Sequence, residues 1–463
     1  MLNKRLQKKY FAIVISFLLQ VCMGPVGNRV LAQTNPPKSG VITDIWFDTA
    51  TYKELAPGSD NFPTTWGNNG HIYTSWGDGG GFGGTNDIGR VSLGFARIEN
   101  YPPSISTYNV MGGVNTQCPA TLTGKSYGML DIGGTLYAWI SPSSNTTNYQ
   151  KTTLYKSTNS GCSWSSTSVE FYQSQNLILP SILQYGAGYS DAPDSYVYSY
   201  ATRLKTSSAL TIQSPGEIDL MRVAKTQISN RSSYEFFKGF DSNNNPLWTT
   251  DINLRQPVIK ISTGVGWAPA TVSYNKGLGR YLMAVDDAAT GVTGVSGKGL
   301  GIYDAAKPWG PWTLVKQINT FTYEPTFFYN FPTKWISSDG KTLWMVFSGT
   351  NDYDSYNMVK ATLVTSSATP TPTSIPTNTN TPTPLPKFTS TLTPTPKATN
   401  TVTPTTTVNG DANGDGSVNE LDYAIWKTNY NTTTASGVTK GDFNLNGKVD
   451  GVDYLIWLQS YTQ

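Results

Sequence analysis

The sequence has few of the residues on which many catalytic mechanisms depend. Its 463 residues include one histidine, His71, and three cysteines. A Ser-His-Asp triad or a histidine metal centre is therefore poorly supported. Nothing in the sequence around Cys118 or Cys162 indicates a thiol nucleophile. Charged residues make up only 14% of the chain and the net charge is +3, so nucleic acid is not an expected partner.

Turn-forming and aromatic residues are abundant instead. The chain has 44 Gly, 28 Pro and 13 Trp, and aromatic residues reach 12%. This composition favours an all-β, turn-rich extracellular protein over a charged cytosolic enzyme. The length allows more than one domain and a sizeable core.

The N-terminal segment has the pattern of a signal peptide. Basic residues between positions 4 and 9 precede the apolar run "YFAIVISFLLQVCMG", and the segment ends in "VLAQ" with the small residue Ala32. A membrane span needs about 20 apolar residues, which this run does not reach. We predict a signal peptide over residues 1–32 and a secreted or surface-attached protein without stable membrane insertion, with retention of the segment as an anchor as the alternative.

Removal of that segment leaves two cysteines, Cys118 and Cys162. An oxidising compartment allows one disulfide bond. The sequence leaves open whether these two residues pair or stay as buried thiols.

The composition changes sharply near residue 366. The stretch from Thr369 to Thr407 consists largely of Thr and Pro and has almost no core-forming residues. Proline lacks an amide donor and favours extended geometry, so residues 367–408 are predicted to form a semi-rigid linker between two modules.

Between residues 38 and 366 one short phrase recurs, in which an apolar or aromatic strand follows a turn residue. It occurs as "GHIYTSWGD", "GTLYAWISP", "DSYVYSYAT", "GRYLMAVDD" and "KTLWMVFSG", starting at residues 70, 134, 194, 279 and 341. Similar strands at this spacing predict a five-bladed β-propeller, with a sandwich as the alternative. The segment "STNSGCSW" (157–164) resembles the Asp-box turn of sialidase-like propellers and favours the propeller.

The C-terminal segment repeats a loop in which oxygen-bearing side chains alternate before a glycine. In each copy positions 1, 3, 5, 7, 9 and 12 have the spacing of a calcium-binding loop, with Gly416 or Gly447 at position 6. Position 7 contributes its carbonyl. The pattern predicts two calcium ions, held by Asp411, Asn413, Asp415, Ser417, Asn419 and Asp422 in the first loop and by Asp442, Asn444, Asn446, Lys448, Asp450 and Asp453 in the second.

Each loop leads into a short apolar-periodic helix, "LDYAIWKTNY" or "VDYLIWLQSY". The duplicated loop and helix, with Asp at position 12, closely resembles a type I dockerin over residues 409–463. This resemblance implies a small all-α calcium-binding domain that attaches the protein to a cohesin-like module on a scaffold or cell surface. Positions 10 and 11, where dockerins often carry a Ser/Thr pair, hold Glu420–Leu421 and Gly451–Val452.

The stretch "GSDNFPTTWGNNGHIYTSWGDGGGFGG" (58–84) carries the candidate chemistry of the large domain. Asp60 precedes the first blade strand and Asp78 follows it, and two carboxyl groups are what a glycosidase needs. Trp66 and Trp76 provide flat faces for sugar rings. The alternative is that both aspartates are ordinary turn residues.

A third candidate carboxylate, Glu324, lies among aromatic residues in "TYEPTFFYN". Tyr323 beside it and His71 in the first blade complete the candidate substrate-binding residues with Trp66 and Trp76. Glu217 and Asp219 alternate along another predicted strand with Arg222 nearby, which favours surface salt bridges.

Several stretches together resemble a family of secreted bacterial propeller proteins, long known as a domain of unknown function, that includes endo-acting D-arabinanases. They are "GSDNFPTTWGNNGHIYTSWGDG", "MRVAKTQISNRSSYEFFKGFD", "YNKGLGRYLMA", "KPWGPWT" and "KWISSDGKTLWMVFSG". The resemblance implies two catalytic aspartates in the first blade, which map onto Asp60 and Asp78. This chain has Asn68–Asn69 where the family pattern has acidic residues.

We therefore expect a secreted, monomeric glycoside hydrolase that acts on an arabinan-like cell-wall polysaccharide. A non-catalytic carbohydrate-binding or adhesion propeller, displayed by the dockerin, is the alternative. A calcium-dependent structural surface protein is a third hypothesis and predicts no affinity for saccharides.

Overall fold

The computed structural model describes residues 35–461 except 142–148, 178, 206–210, 267, 289–298, 319–325, 350–353, 367–409, 431 and 435–436. The predicted signal peptide (1–32) and the predicted linker (367–408) therefore lie outside the described residues. The chain divides into two compact units, one up to Pro372 and one from Thr373. None of the helices within the described ranges is long and apolar enough to cross a membrane.

The first unit is an all-β propeller made of five antiparallel sheets, as predicted from the recurring phrase. The first strand of the chain, β1 (Ile42–Leu55), joins the last sheet and is described with it below. Blade 1 contains β2 (Thr64–Trp66), β3 (Ile72–Gly77), β4 (Leu93–Glu99) and β5 (Ser106–Met111). Blade 2 contains β6 (Lys125–Ile132), β7 (Thr135–Ser141), β8 (Lys151–Ser157) and β9 (Ser165–Tyr172).

Blade 3 is larger than the others and accounts for the longest interval between recurring phrases. It contains β10 (Ser181–Ile182), β11 (Tyr196–Thr202), β12 (Gly216–Ala224), β13 (Glu235–Phe240), β14 (Pro246–Thr249) and β15 (Pro257–Ile261). Strand β15 pairs with the first half of β12, while β13 pairs with the second half. The two extra strands lengthen the chain segment of this blade without adding a sixth blade.

The last two blades complete the ring. Blade 4 contains β16 (Thr271–Asn275), β17 (Arg280–Asp287), β18 (Gly299–Ala305) and β19 (Thr313–Ile318). Blade 5 contains β20 (Thr326–Asn330), β21 (Thr342–Gly349), β22 (Tyr356–Thr365) and, at its outer edge, β1. Because β1 pairs with β22, the two ends of the propeller sequence are held in one sheet.

Each recurring phrase forms the second strand of its blade: β3, β7, β11, β17 and β21. These strands are buried on both faces because they pack between neighbouring blades, which explains why they read as near-continuous apolar runs. The short strands β2, β6, β10, β16 and β20 lie innermost, where residues of all five line one small axial cavity. The first residues of these strands face the same end of the propeller, which we call the upper face.

The "STNSGCSW" segment forms the hairpin between β8 and β9. Ser157 Oγ accepts the backbone N–H of Gly161, and Asn159 Oδ1 accepts that of Ser163. Trp164 stacks on Phe95 of blade 1 with ring centroids 4.3 Å apart. In this turn Cys162 is bonded to Cys118, so the two cysteines pair and link blades 1 and 2.

The second unit contains two short helices, α1 (Glu420–Asn429) and α2 (Gly451–Ser460). Asn419 and Asp450 cap them, since each side chain accepts a backbone N–H from the first turn. A tryptophan in each helix donates a hydrogen bond to the N-cap residue of the other helix. Trp426 Nε1 donates to the Asp450 carbonyl and Trp457 Nε1 to the Asn419 carbonyl, both at 3.0 Å. The sequence repeat is thus a structural repeat.

Candidate active site

Three carboxyl groups meet on the upper face of the propeller, between blades 1 and 5. Asp60 lies just before β2, Asp78 directly follows β3, and Asp354 lies between β21 and β22. One oxygen from each of the three lies within 4.8 Å of the others. We call Asp60, Asp78 and Asp354 the acid cluster. The two aspartates predicted from the sequence are therefore neighbours in space and not isolated turn residues.

The backbone of blade 1 sets the spacing of the first two members. The backbone N–H groups of Asp60 and Gly77 each donate to the other residue's carbonyl, at 2.8 and 2.7 Å. A Cβ atom on Gly77 would lie 2.5 Å from Asp60 Oδ1 and 2.8 Å from Lys125 Cδ, so only glycine leaves room for the cluster. Asp78 and Asn61 both have left-handed backbone, with φ of 53° and 54°. Such conformations in non-glycine residues cost energy and are common at functional sites.

Two cations approach the acid cluster from different sides. Lys125, the first residue of β6, is only 2% exposed, and its Nζ lies 2.7 Å from Asp78 Oδ1 and 4.0 Å from Asp60 Oδ1. Arg90, at the rim, lies 3.2 Å from the same oxygen of Asp78. Asp78 is therefore an ion-paired carboxylate, whereas Oδ1 of Asp60 is buried and accepts no hydrogen bond from the described residues.

This environment separates the carboxyl groups by their affinity for a proton. Burial raises the pKa of Asp60 to about 8; the Lys125 ammonium opposes the shift, while the charges of Asp354 and Asp78 reinforce it. Burial, reinforced by the charge of Asp78, raises the pKa of Asp354 to about 6 against the influence of Lys125 and Arg90. At neutral pH Asp60 thus holds a proton beside an ion-paired carboxylate, which is the division of roles that acid/base chemistry requires.

An aromatic wall stands next to the acid cluster. Tyr127 follows Lys125 by two residues on β6, at a break in the register with β7, and the charges of Asp60 and Asp78 act on its hydroxyl. Its hydroxyl donates to the hydroxyl of Tyr149 at 3.0 Å, and its ring meets that of Phe328 edge to face with centroids 6.0 Å apart. Burial raises the pKa of Tyr127 well above its usual value, so this hydroxyl remains a hydrogen-bond donor.

The predicted substrate-binding residues lie elsewhere. Trp76 is 0% exposed and packs in the core of blade 1, so it has no free ring face and the prediction that it stacks on a sugar is wrong. Trp66 and His71 lie at the other end of the β2–β3 hairpin, where His71 Nε2 is 4.0 Å from Glu99 Oε1. Asp78 and His71 are separated by the length of β3, about 20 Å at 3.3 Å per residue.

The remaining sequence candidates have different outcomes. Glu324 and Tyr323 lie outside the described residues. Asn69, part of the Asn68–Asn69 departure from the family pattern, donates to the Tyr73 hydroxyl at 2.8 Å at the same far end of blade 1. The departure therefore does not touch the acid cluster.

Asp354 and Lys125 were not among the residues selected from the sequence. Asp354 has only its place in the connection after the blade-5 phrase as a signal: it lies five residues beyond the end of that phrase, whereas Asp78 is the last residue of the blade-1 phrase. Lys125 has no such signal. It opens an inner strand that matches no recurring phrase, and only the closed ring of blades brings it to Asp78.

The loops of the second unit are arranged around their first and last carboxylates. Asp411 accepts the backbone N–H groups of Gly414 and Gly416 at 2.7 and 2.8 Å, and Asp422 accepts those of Ala412, Asn413 and Asn419. In the second loop Asp442 accepts the N–H of Gly447, and Asp453 accepts those of Asn444 and Asp450. The two loops have the same fold.

These loops fit a calcium ion by the chemistry of their donors. Every predicted ligand is a carboxylate, amide or carbonyl oxygen, the hard donors that Ca²⁺ prefers. Gly416 and Gly447 have φ of 87° and 85°, the left-handed turn that position 6 requires. When bound, the ion would hold the loop closed and fix the first turn of the helix after it.

Comparisons with known proteins agree with both units. Residues 409–459 match the dockerin type I domain, a domain that binds calcium. No curated protein matches the sequence. Among solved structures, a proposed hydrolase from Bacteroides ovatus is similar at 14% identity and a TM-score of 0.43, covering 68% of this chain and 90% of its own.

Two further solved structures among the matches are glycoside hydrolases by description. An α-L-arabinofuranosidase from Podospora anserina has 10% identity and a TM-score of 0.38, covering 70% of this chain and 96% of its own. A GH43_1 enzyme from Xanthomonas citri has 11% identity and a TM-score of 0.39, covering 68% and 91%. The family model of the domain of unknown function DUF4185 matches residues 128–359, which is half of the chain. The chain belongs to the DUF4185 family and carries a type I dockerin domain after its propeller.

Proposed function

We propose that the propeller is a glycoside hydrolase and that the acid cluster is its catalytic centre. The observation that carries the proposal is the pairing of a buried, protonated Asp60 with an ion-paired Asp78 within 4.8 Å. Asp60 would donate its proton to the glycosidic oxygen as the bond breaks. Asp78 would provide the carboxylate on the other side of the reaction, and Asp354 would hold a charge that keeps the Asp60 proton in place.

The close approach of the carboxyl groups favours direct attack by Asp78 on the anomeric carbon. Glycosidases that place a water between substrate and base keep their carboxyl groups about 6.5–9.5 Å apart, whereas those with a carboxylate nucleophile have them about 5–5.5 Å apart. Asp78 would then form a glycosyl ester that water hydrolyses, with Asp60 first giving up and later regaining its proton. This predicts retention of configuration, which NMR of the first-formed product would detect.

We propose an arabinan-like cell-wall polysaccharide as the substrate. The support is the family resemblance in the first-blade stretch, in which Asp60 and Asp78 occupy the expected catalytic positions. The Asn68–Asn69 departure lies away from the acid cluster, so it leaves the proposed chemistry intact. Its position beside Trp66 and His71 also means that those residues are not expected to contact the reacting sugar.

We further propose that the protein is secreted, monomeric and tethered through its dockerin to a cohesin-like module. Residues 1–32 would be removed on export, and residues 367–408 would space the catalytic propeller from the attachment point. Two calcium ions would be bound, one in each loop, by the oxygen donors already described. Binding of the chain to an immobilised cohesin in calcium, and its release by a chelator, would test the tether.

The test of the activity is the release of reducing sugar by the chain from residue 33 onward. Mycobacterial and plant arabinans, arabinogalactans and xylans form the substrate panel. Asp60→Asn and Asp78→Asn should each lower the rate by about 100-fold or more, since acid/base assistance alone contributes that much. Asp87→Asn, an exposed aspartate in the β3–β4 connection, is the matched control and should be unchanged.

If the wild-type chain released no reducing sugar from any substrate, the proposal would be contradicted. If the inactive chain still bound saccharide, the propeller would be a carbohydrate-binding module. Equal activity of all three variants and the wild type would place the catalytic centre elsewhere.

A further inference from the structure

A second polar site lies on the upper face, in blade 3, and the proposed hydrolysis does not use it. It is a cavity of about 200 Å³ lined by Ser174, Gln175, Asn176, Arg203, Asn253 and Arg255. Among the residues that the structure describes, no apolar or aromatic side chain lines it, so these residues provide no platform for stacking a sugar ring. Guanidinium, amide and hydroxyl groups dominate its wall.

Hydrogen bonds to Asp219 and to backbone carbonyls fix the positions of Arg203 and Arg255. Arg255 is only 7% exposed; its Nε donates to Asp219 Oδ2 at 2.7 Å, and its Nη2 donates to the carbonyl of Gln175, also at 2.7 Å. Arg203 Nε donates to the carboxylate of the same Asp219 at 3.0 Å. Asp219 does form the salt bridges expected from the sequence, but they are buried and not on the surface, and their partners are Arg203 and Arg255. Arg222 pairs with Glu235 instead.

The charges around the cavity do not balance. Glu217 lies 2.8 Å from Lys205, 3.3 Å from Lys260 and 3.5 Å from Arg203. Burial raises the pKa of Glu217, but the hydrogen bond and charge of Lys205 with the charge of Arg203 outweigh it, so the pKa is lowered and the group is anionic. Four cations, Arg203, Lys205, Arg255 and Lys260, therefore lie near three carboxylates, Glu217, Asp219 and Asp251, the last of which accepts a hydrogen bond from the side chain of Asn253. The two arginines line the cavity, so the excess of positive charge includes its wall.

The Nη1 group of Arg203 makes only a long contact with a carboxylate. The nearest carboxylate oxygen to Arg203 Nη1 is that of Glu217 at 3.5 Å, well beyond the roughly 2.7–2.9 Å of a charge-assisted hydrogen bond. Arg203 lines the cavity, and within the described ranges its Nη1 has no closer hydrogen-bond acceptor than this one. A planar or tetrahedral oxyanion matches the fork of a guanidinium group.

The cavity and the acid cluster both lie on the upper face, and one hydrophobic cluster packs beside both of them. The bridge between Leu177 and Arg203 lies just ahead of β10, as Asp60 lies just ahead of β2. Leu179 and Leu204, next to the cavity, pack in the same cluster as Tyr127 and Phe328, the aromatic wall of the acid cluster. A polymer lying across the upper face can therefore pass both places.

We propose that the blade-3 cavity is a binding site for an oxyanion, with Arg203 as the principal donor. Arg255 adds positive charge from behind, since its Nε, Nη1 and Nη2 already donate to Asp219 and to the carbonyls of Ile252, Gln175 and Asn176. The anion is a carboxylate or a phosphate or sulfate ester, carried by an acidic glycan or free in solution. This site does not depend on the proposed hydrolysis, since binding requires only the cavity.

The test is calorimetric titration of the chain from residue 33 onward, in calcium, with inorganic sulfate, with glucuronic acid-containing xylo-oligosaccharide and with the neutral oligosaccharide of the same length. Gln175→Glu places a negative charge in the cavity while keeping both arginines and the Oε1 acceptor for the Tyr172 N–H. Gln227→Glu, at an exposed position in blade 3, is the matched control. A negative charge in the cavity repels a bound anion, so Gln175→Glu should weaken anion binding by about tenfold or more.

Binding of sulfate and of the acidic oligosaccharide, both weakened by Gln175→Glu and not by Gln227→Glu, supports a glycan subsite. Binding of sulfate alone with the same variant pattern supports a site for free anions. The proposal is overturned if neither anion binds, if the neutral oligosaccharide binds equally well, or if the two variants behave alike.

Discussion

Aspartates are central to both units of the chain, and the two units assemble them in different ways. In the dockerin loops each carboxylate finds its partners within about ten residues, as Asp422 does with Ala412 and Asn419. In the propeller, Asp60 meets Asp354 from the last blade and Lys125 from the second. Local spacing builds the first arrangement, and closure of the whole ring builds the second.

The difference in assembly is accompanied by a difference in charge state. Hydrogen bonds from the Ser417 backbone N–H and the Asn413 amide lower the pKa of the exposed Asp415. Burial instead raises the pKa of Asp60 to about 8. Carboxylates supported by backbone N–H groups in water are suited to a metal ion, and a carboxyl buried among other acids is suited to a proton.

The largest effect is expected from removal of calcium. Excess chelator should unfold α1 and α2 while the five blades keep their structure, because the loop oxygens need the ion whereas Lys125 already supplies a cation to the acid cluster. Far-UV circular dichroism and the tryptophan indole NMR signals would follow the two units separately. A variant with Asp411→Ala and Asp442→Ala should show the same loss in calcium. Simultaneous loss of both units would contradict their independence as modules.

Removal of the internal cation should be the next largest effect. Lys125→Met leaves buried carboxyl groups without their partner and should lower the free energy of unfolding by about 3–5 kcal/mol at pH 7. Lys151→Met is the matched control in the same blade: its Nζ is also 2.7 Å from a carboxylate, that of Glu170, but it is 40% exposed. An exposed pair contributes about 0–1 kcal/mol. Denaturant unfolding would compare them, and equal losses would contradict the account.

The pH dependence of stability should follow the proton on Asp60. An unfolded chain releases this proton near the ordinary pKa of 3.8, whereas the folded chain holds it to about pH 8. The folded state binds more protons over that window, so Asp60 makes stability fall as pH rises from about 4 to about 8. Melting temperatures of wild type and Asp60→Asn should therefore diverge across this range. Parallel curves would show that Asp60 ionises normally.

The smallest effect is expected from removing the charge of Asp354, which acts on the pKa of Asp60. If Asp60 is the general acid, activity should fall above about pH 8 as it loses its proton. The charge of Asp354 raises the pKa of Asp60, so Asp354→Asn should move this alkaline limb to lower pH. The pH profile of kcat/KM would measure the shift. Movement to higher pH, or none, would contradict the electrostatic role of Asp354.

The contrast between the units also explains what the sequence could predict. Both calcium loops and their helices follow from short-range spacing, since Gly416 and the alternating oxygens need no distant partner. The five-bladed fold follows from five similar second strands. Asp60 and Asp78 stand out because β2 and β3 form one hairpin that keeps them adjacent.

Long-range features could not be predicted in the same way. The contact between Lys125 and Asp78 depends on how blade 2 docks against blade 1. The burial of Trp76 depends on the glycines packed around its ring, among them Gly81 and Gly94. Apolar character indicated that this tryptophan lies in a strand, and only the packing of the blade decided which way its ring faces.

The most direct measurement is the titration of the aspartate carboxyl groups by NMR of the chain labelled with ¹³C at the aspartate side-chain carboxyl, with Asp60→Asn and Asp415→Asn for assignment. The account predicts that the Asp60 signal titrates near pH 8 and the Asp415 signal below its ordinary range. If Asp60 titrates below pH 5 with the exposed aspartates, the acid cluster holds no proton at neutral pH and the proposed catalytic role of Asp60 is wrong.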